Sequence, residues 1–320
     1  MLTRREALRG LGLLAAIGIG SSSRLVRASS AASPGGLPYR ARTVTTPDRL
    51  SISVQDWGNP DKPAILFIHG FMSGSICWMR QLNSRLGEQF RLVAYDWRGH
   101  GASDKPNDPQ MYAHGARWAD EIDAVIAALG LGKPILAGWS MAGEIIGDYL
   151  QARGDAGLAG INFVDCGALS FPMQAESSEE RTRAAAAMTS MDTLTSIAAT
   201  AGFIRMCTAN PLSPDDLANW VAVANMVPWY VRRAMTTRPQ HDLQPLLRGL
   251  KRPVMVTHGG KDAVAPIEGS RRAARLVPDV RLSIYEDAGH ASFWEAAARY
   301  NEDLARFASD AFSRVNRAGA

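Results

Sequence analysis

Gly138-Trp139-Ser140-Met141-Ala142-Gly143 lies between a short apolar run, Pro134-Ile135-Leu136-Ala137, and a helix-like run from Gly143 to Gln151. A short apolar run bounded by turn residues reads as a buried strand, so the hexapeptide spans a strand-to-helix turn. A serine on such a turn is held out of the sheet with its hydroxyl exposed. The N-terminus of the following helix offers free backbone N–H groups to an anion beside it. Strand and helix approach closely here, which asks for small residues and is met by Ala142.

Outward from Ser140 the pattern is strand, helix, strand, helix. Leu50 to Trp57 alternates apolar and polar residues, as a half-buried strand near a sheet edge does. Pro63 to Ile68 and Phe90 to Tyr95 read as buried strands, Trp78 to Leu86 and Ala116 to Leu129 as helices, and Ile161 to Val164 as a further strand. Residues 171–247 carry no strong β run and several helical stretches. Alternation resumes with a strand at Pro253 to Thr257, a helix near Ile267 to Leu276, a strand at Val280 to Tyr285 and a helix from Trp294 to Val315. Alternating strands and helices predict a mostly parallel sheet covered on both faces. The predicted organisation is a core of residues 39–170 and 248–320, with 171–247 inserted as a helical cap after the strand at Ile161 to Val164.

A serine hydroxyl is a poor nucleophile at neutral pH, so it needs a base in reach and a carboxylate to orient that base. Asp262 lies just past the strand that ends near Thr257, and His290 lies just past the strand that ends at Tyr285. Asp165 also ends a strand and competes with Asp262 for the acid's place. In an open α/β sheet, ligands bind at the C-terminal edge of the strands, where all of these residues fall.

The Ser140 turn resembles the nucleophile elbow of the α/β-hydrolases, with alanine at 142 in place of glycine. His69-Gly70-Phe71-Met72 is similar to that family's His-Gly turn. Asp96-Trp-Arg-Gly-His-Gly-Ala-Ser103 is similar to its Asp-x-Arg-Gly-x-Gly-x-Ser loop. The order Ser, Asp, His is also the family's. The resemblance covers about residues 40–315 and points to the branch of esterases, haloperoxidase-like and epoxide-hydrolase-like proteins. It implies the α/β-hydrolase fold, a Ser140-Asp262-His290 triad, and an oxyanion hole made by the amides of Phe71 and Met141. It implies no metal and no organic cofactor. His69 and His100 are then loop organisers, and Cys166 is a small buried residue. Dehalogenases and epoxide hydrolases of this fold use aspartate as nucleophile, so serine at 140 implies an acyl-enzyme instead.

The cap should set the substrate. Residues 171–240 hold Met173, Met188, Met191, Met206, Met226 and Met235, six of the 12 methionines, together with Trp220, Trp229 and Tyr230. Flexible thioethers and aromatics suit a pocket for an apolar acyl or aryl group. The expected lining is Trp139, Met188, Met191, Trp220, Met226 and Trp229. No lysine lies between Leu169 and Leu250, which disfavours the cyanohydrin lyases of the family, whose cap carries one near the triad.

Hydrophobic content of 46% and charged content of 21% describe an ordinary globular protein. The formal charge of +4 comes entirely from residues 1–28, where Arg4, Arg5, Arg9, Arg24 and Arg27 stand against Glu6. The remainder is balanced, so no nucleic-acid footprint is expected. Thr3-Arg4-Arg5-Glu6-Ala7-Leu8-Arg9 resembles a twin-arginine export motif, with Ala7 and Arg9 where phenylalanine and lysine are common. The apolar stretch Gly10 to Gly20 is too short to span a bilayer, which takes about 20 residues. Val26-Arg27-Ala28 offers a cleavage site, and residues 29–38 read as a linker. The alternative is an uncleaved N-terminal anchor. Cys77, Cys166 and Cys207 fit no metal spacing, and their odd number leaves them free or forms one bridge such as Cys77–Cys166.

The sequence therefore predicts an exported serine esterase, periplasmic or secreted, acting on small to medium apolar carboxylic esters. Its expected partners are the ester and the twin-arginine export machinery, with no stable membrane anchor after cleavage. A cofactor-free haloperoxidase or perhydrolase, a C–C bond hydrolase or an acyltransferase would use the same triad. A non-catalytic ligand sensor is the reading from another class.

Overall fold

The computed structural model describes residues 39–167 and 179–318. The export motif, the linker and Met173 lie outside the described residues. The strands are β1 (Tyr39–Thr45), β2 (Ser51–Trp57), β3 (Ala64–Ile68), β4 (Arg91–Tyr95), β5 (Ile135–Trp139), β6 (Gly160–Val164), β7 (Val254–Gly259) and β8 (Val280–Tyr285). They form one sheet in the order β1-β2-β4-β3-β5-β6-β7-β8. The β1–β2 and β2–β4 pairs are antiparallel and the rest are parallel. This is the α/β-hydrolase fold.

Helices α1 (Met79–Leu82), α2 (Gln110–Ala113), α3 (Gly115–Leu129) and α4 (Ala142–Arg153) precede the insertion. Between β6 and β7 come α5 (Glu179–Met188), α6 (Thr193–Met206), α7 (Pro214–Asn225), α8 (Trp229–Thr237) and α9 (Gln244–Gly249). The chain closes with α10 (Ile267–Leu276), α11 (Ser292–Glu295) and α12 (Ala297–Ala318). Among the described residues no helix is long and apolar enough to cross a membrane.

The inner strands β3 to β7 are mostly apolar and buried along their whole length because both faces are covered, whereas edge strand β8 is partly exposed. Successive side chains alternate between the faces. Leu66, Ile68, Val93, Tyr95 and Leu136 join the core under α3 and α4, while Ile65, Phe67, Leu92, Ala94 and Ile135 join the core under α1 and α12. Trp220 and Ile204 of the insertion belong to the second core. Burying one such large apolar side chain is worth about 1.5–3 kcal/mol.

Three elements differ from the sequence reading. Residues 39–45 form an edge strand that pairs only with β2. Its Tyr-Arg-Ala-Arg-Thr-Val-Thr sequence buries only Val44, so apolar periodicity does not reveal it. The helix expected over 78–86 is broken into 3-10 turns at Ser75–Trp78 and Arg85–Glu88 around the one-turn α1. The helix expected from Trp294 breaks at Ala296, between α11 and α12. The three cysteines are free and buried, so no Cys77–Cys166 bridge forms.

Candidate active site

Ser140 follows β5 directly, with φ at 57° in the left-handed region. For a side chain with a Cβ this conformation costs roughly 1–2 kcal/mol. It is held by the Ser140 N–H donating to Val164 O at 2.8 Å and the Gly143 N–H donating to Ser140 O at 3.0 Å. A Cβ on Gly138 would sit 2.6 Å from Ile146 Cδ1 and 3.1 Å from Ala142 Cβ. Gly138 thus makes the room that α4 needs, and alanine at 142 fits within it, fully buried.

The structure brings Ser140, His290 and Asp262 into one hydrogen-bonded chain. His290 Nε2 is 2.7 Å from Ser140 Oγ, and His290 Nδ1 is 2.8 Å from Asp262 Oδ2. Asp262 Oδ1 accepts from the amides of Val264 at 2.8 Å and Ala265 at 2.9 Å. His258 Nε2 lies 3.1 Å from Asp262 Oδ2. Burial pushes the Asp262 carboxyl up, but the charge of His290 and the hydrogen bonds from His258, His290 and the Ala265 amide outweigh it. The net effect holds it well below the usual carboxylate range. Asp262 is therefore an anion with its lone pairs occupied, able to fix the His290 ring and stabilise an imidazolium.

Asp165, the rival acid, does not touch His290 through a hydrogen bond. Its Oδ1 accepts from the Gly259 amide at 2.8 Å, and its Oδ2 accepts from the Ser292 amide at 3.0 Å and hydroxyl at 2.9 Å. One carboxyl thereby ties the end of β7 to the turn after His290. Burial is the main cause that pushes Asp165 up to about 7, with the nearby Asp262 charge adding to it against His258 and His290. His258 is a site residue that the sequence analysis does not single out. It is the penultimate residue of β7, its Nδ1 meets Ser270 Oγ at 2.8 Å, and its place four residues before Asp262 is the signal that could have found it. Asp165, His258 and Asp262 offer ligand atoms within 4.8 Å of one another. Each of those atoms is already committed to hydrogen bonds inside the protein.

The His69–Met72 turn packs on the nucleophile. A Cβ on Gly70 would lie 2.9 Å from Trp139 Cε3 and 3.2 Å from Ser140 Cβ. Among the described residues, the amides of Phe71 and Met141 donate to no protein acceptor, which leaves both free for a ligand oxygen. Two buried histidines hold the turn. His69 Nδ1 donates to Gly70 O at 2.8 Å while Nε2 accepts the Trp97 amide at 3.2 Å. His100 Nε2 accepts the Met72 amide at 3.3 Å. Burial lowers His69 to about 3, so it is neutral and can accept. Asp96 receives the amides of Ser75 at 2.6 Å and Ala102 at 2.8 Å, which binds the same turn to the loop after β4.

Of the expected pocket residues, Trp139, Trp220 and Met188 share one core, whereas Met191 and Met226 face solvent. Trp139 is buried, and its indole N–H donates to His290 O at 2.7 Å, so it braces the histidine rather than walling a pocket. Trp220 is buried with its ring 5.7 Å from that of Trp139. Met188 packs partly buried against the same core. Met191 and Met226 are 72% and 51% exposed, so neither walls an enclosed pocket. Trp229 is half-buried, edge-on to Tyr230 at 6.0 Å. A methionine count reports composition, whereas helix phase decides which thioethers turn inward. Burial pushes the Cys166 thiol up, which leaves it unreactive at neutral pH.

Comparisons with known proteins agree with this architecture. The alpha/beta hydrolase fold family matches residues 63–297. A bifunctional esterase/perhydrolase of Acinetobacter calcoaceticus is 27% identical over 280 residues, covering 82% of this chain and 98% of that protein. The solved structure of a candidate aryl esterase from Burkholderia cenocepacia superposes with a TM-score of 0.79 at 33% identity, covering 86% of this chain and all of the other. An esterase from Rhodococcus sp. ECU1013 superposes with a TM-score of 0.75 at 30% identity, over 84% of this chain and 98% of the other. With the serine on its left-handed turn after β5, the acid after β7 and the base after β8, and a family match across most of its length, the chain belongs to the α/β-hydrolase family.

Proposed function

We propose that the protein is a serine hydrolase of neutral, apolar carboxylic esters, working through an acyl-enzyme on Ser140. The observation that carries this reading is the unbroken Asp262–His290–Ser140 chain beside two unpaired amides. His290 Nε2 takes the Ser140 proton as Oγ attacks the ester carbonyl. The Phe71 and Met141 amides bind the developing oxyanion; losing one such donor typically costs about 3–4 kcal/mol of transition-state stabilisation. His290 returns the proton to the leaving alcohol, then activates water to release the acid. Relatives named as esterases support the reaction class. Ser140→Ala should lose several orders of magnitude in kcat on nitrophenyl esters from acetate to laurate. Equal turnover by the variant would sink the mechanism.

The perhydrolase relative favours a second reaction of the same site, in which hydrogen peroxide replaces water and the acyl-enzyme releases a peracid. A peracid assay with carboxylic acid and peroxide tests it, and a Ser140-dependent signal is the expected result. We also propose export through the twin-arginine route, supported by Arg4-Arg5 and the short apolar stretch after them. Replacing both arginines by lysine should hold the protein in the cytoplasm; unchanged secretion would contradict this.

A further inference from the structure

We propose that Glu295 is a positioning residue that couples the cap to the catalytic histidine; this rests on the triad reading above. Glu295 ends the short helix α11, five residues after His290, and is half-buried. Its two oxygens accept four N–H bonds. Oε2 takes the Gly289 amide at 2.6 Å and the Ala209 amide at 3.0 Å. Oε1 takes the Asn210 amide at 2.9 Å and the Asn210 side-chain N–H at 3.0 Å. Gly289 immediately precedes His290, whereas Ala209 and Asn210 belong to the turn between α6 and α7 of the cap.

The contact is close as well as polar. A Cβ on Gly289 would lie 2.6 Å from Ala209 N and 2.9 Å from Thr208 C, so backbone meets backbone and neither side can shift cheaply. The loop that carries His290 is therefore clamped between one carboxylate and the cap turn. Hydrogen bonds to a charged acceptor are the strong ones. Four donors on one carboxylate occupy it fully, and they come from two separate parts of the chain. Movement of the 208–210 turn is thereby transmitted to Gly289, and through it to the distance between His290 and Ser140. Trp139, Asp262 and Asp165 fix the histidine loop from the core, and Glu295 ties it to the cap turn.

The test uses the full chain with nitrophenyl acetate hydrolysis and the rate of Ser140 labelling by a phosphonofluoridate. Glu295→Gln places an NH2 donor against N–H donors and should lower both rates about 10–100-fold, the scale of a small misplacement of catalytic groups. KM should change much less than kcat. Glu295→Asp, which keeps the charge on a shorter stem, should recover part of the loss. Asn210→Asp sets two carboxylates together from the cap side without touching the histidine loop. It should lower labelling too and should speed hydrogen exchange at the Gly289 amide. It is also the readout that stands if Glu295→Gln does not fold. Labelling and exchange at parent rates in Asn210→Asp would overturn the coupling. A parent chain that neither hydrolyses the ester nor reacts with the label would overturn the triad reading itself.

Discussion

The loops at the C-terminal ends of the strands and the helical insertion above them are built on different terms. In the loops, nearly every polar group has a named partner. Asp262 receives two amides and two histidines, Asp165 bridges β7 to the turn after His290, and Asp96 binds two amides. Beneath them Arg98 is buried and paired with Glu121 at 2.8 Å and Asp48 at 2.7 Å. The insertion instead leaves Met191, Leu194, Ile197, Met206 and Met226 exposed. Among the described residues its polar ties to the core include those through Glu295, Arg238 with Asp148, Gln240 with Glu144, Asp216 with Arg80, and the Tyr230 hydroxyl on Lys105 O. The difference teaches where precision resides. The loops fix the atoms that make and break bonds, while the insertion reaches them through its 208–210 turn and elsewhere presents surface that can vary without disturbing the chemistry.

The largest effects should come from the loops. His290→Ala removes the base and should cost about as much as removing the nucleophile, on the order of 10⁶ in kcat. A loss below about a hundredfold in an ester assay would mean that another base acts. Asp262→Asn should keep the geometry but permit the wrong imidazole tautomer, with a loss on the order of 10⁴ in kcat. The same variant carries a pH signature. Asp262 is held below its unfolded value, so the stability it contributes is complete above the unfolded carboxyl pKa of about 3.9. That contribution is lost as pH falls further toward the depressed folded value. Thermal melts of parent and Asp262→Asn should therefore differ most near neutral pH and converge in strong acid. A gap that widens on acidification would show that the sign is wrong.

The next effect concerns the support beneath the site. Arg98→Ala strands Glu121 in the core, where burial already pushes its carboxyl up to about 7 against the pull of Arg98. Breaking a buried pair by removing one partner costs about 3–5 kcal/mol. A clear drop in Tm is expected, and a melt within a degree of the parent would deny that the pair is buried. The smallest effect should come from the cap surface. Met191→Ala and Met226→Ala should each stay within about 0.5 kcal/mol of the parent in denaturant melts. A large change in ester chain-length preference for either would place that thioether against the substrate after all.

The same contrast explains what the sequence made legible. Buried strands must be apolar on both faces, and a strand-to-helix turn with serine at its apex has few solutions, so β3 to β7 and Ser140 could be read directly. Asp262 and His290 followed because each ends its own strand. The rival Asp165 could not be dismissed from the chain alone, since it too ends a strand; only the direction of its hydrogen bonds separates the roles. Edge strand β1 was missed because an edge needs only one partner and little apolar surface. Which cap methionines turn inward could not be read, because a count carries no helix phase. Glu295 gave no signal, because it lies 86 positions from the Ala209 amide that it holds.

The central claim is that Ser140 carries the acyl group. Peptide mass mapping after brief exposure to an ester that deacylates slowly tests this directly. The account predicts one acyl adduct on the peptide containing Ser140, absent from Ser140→Ala. An adduct on another residue, or unchanged turnover by Ser140→Ala, would contradict it.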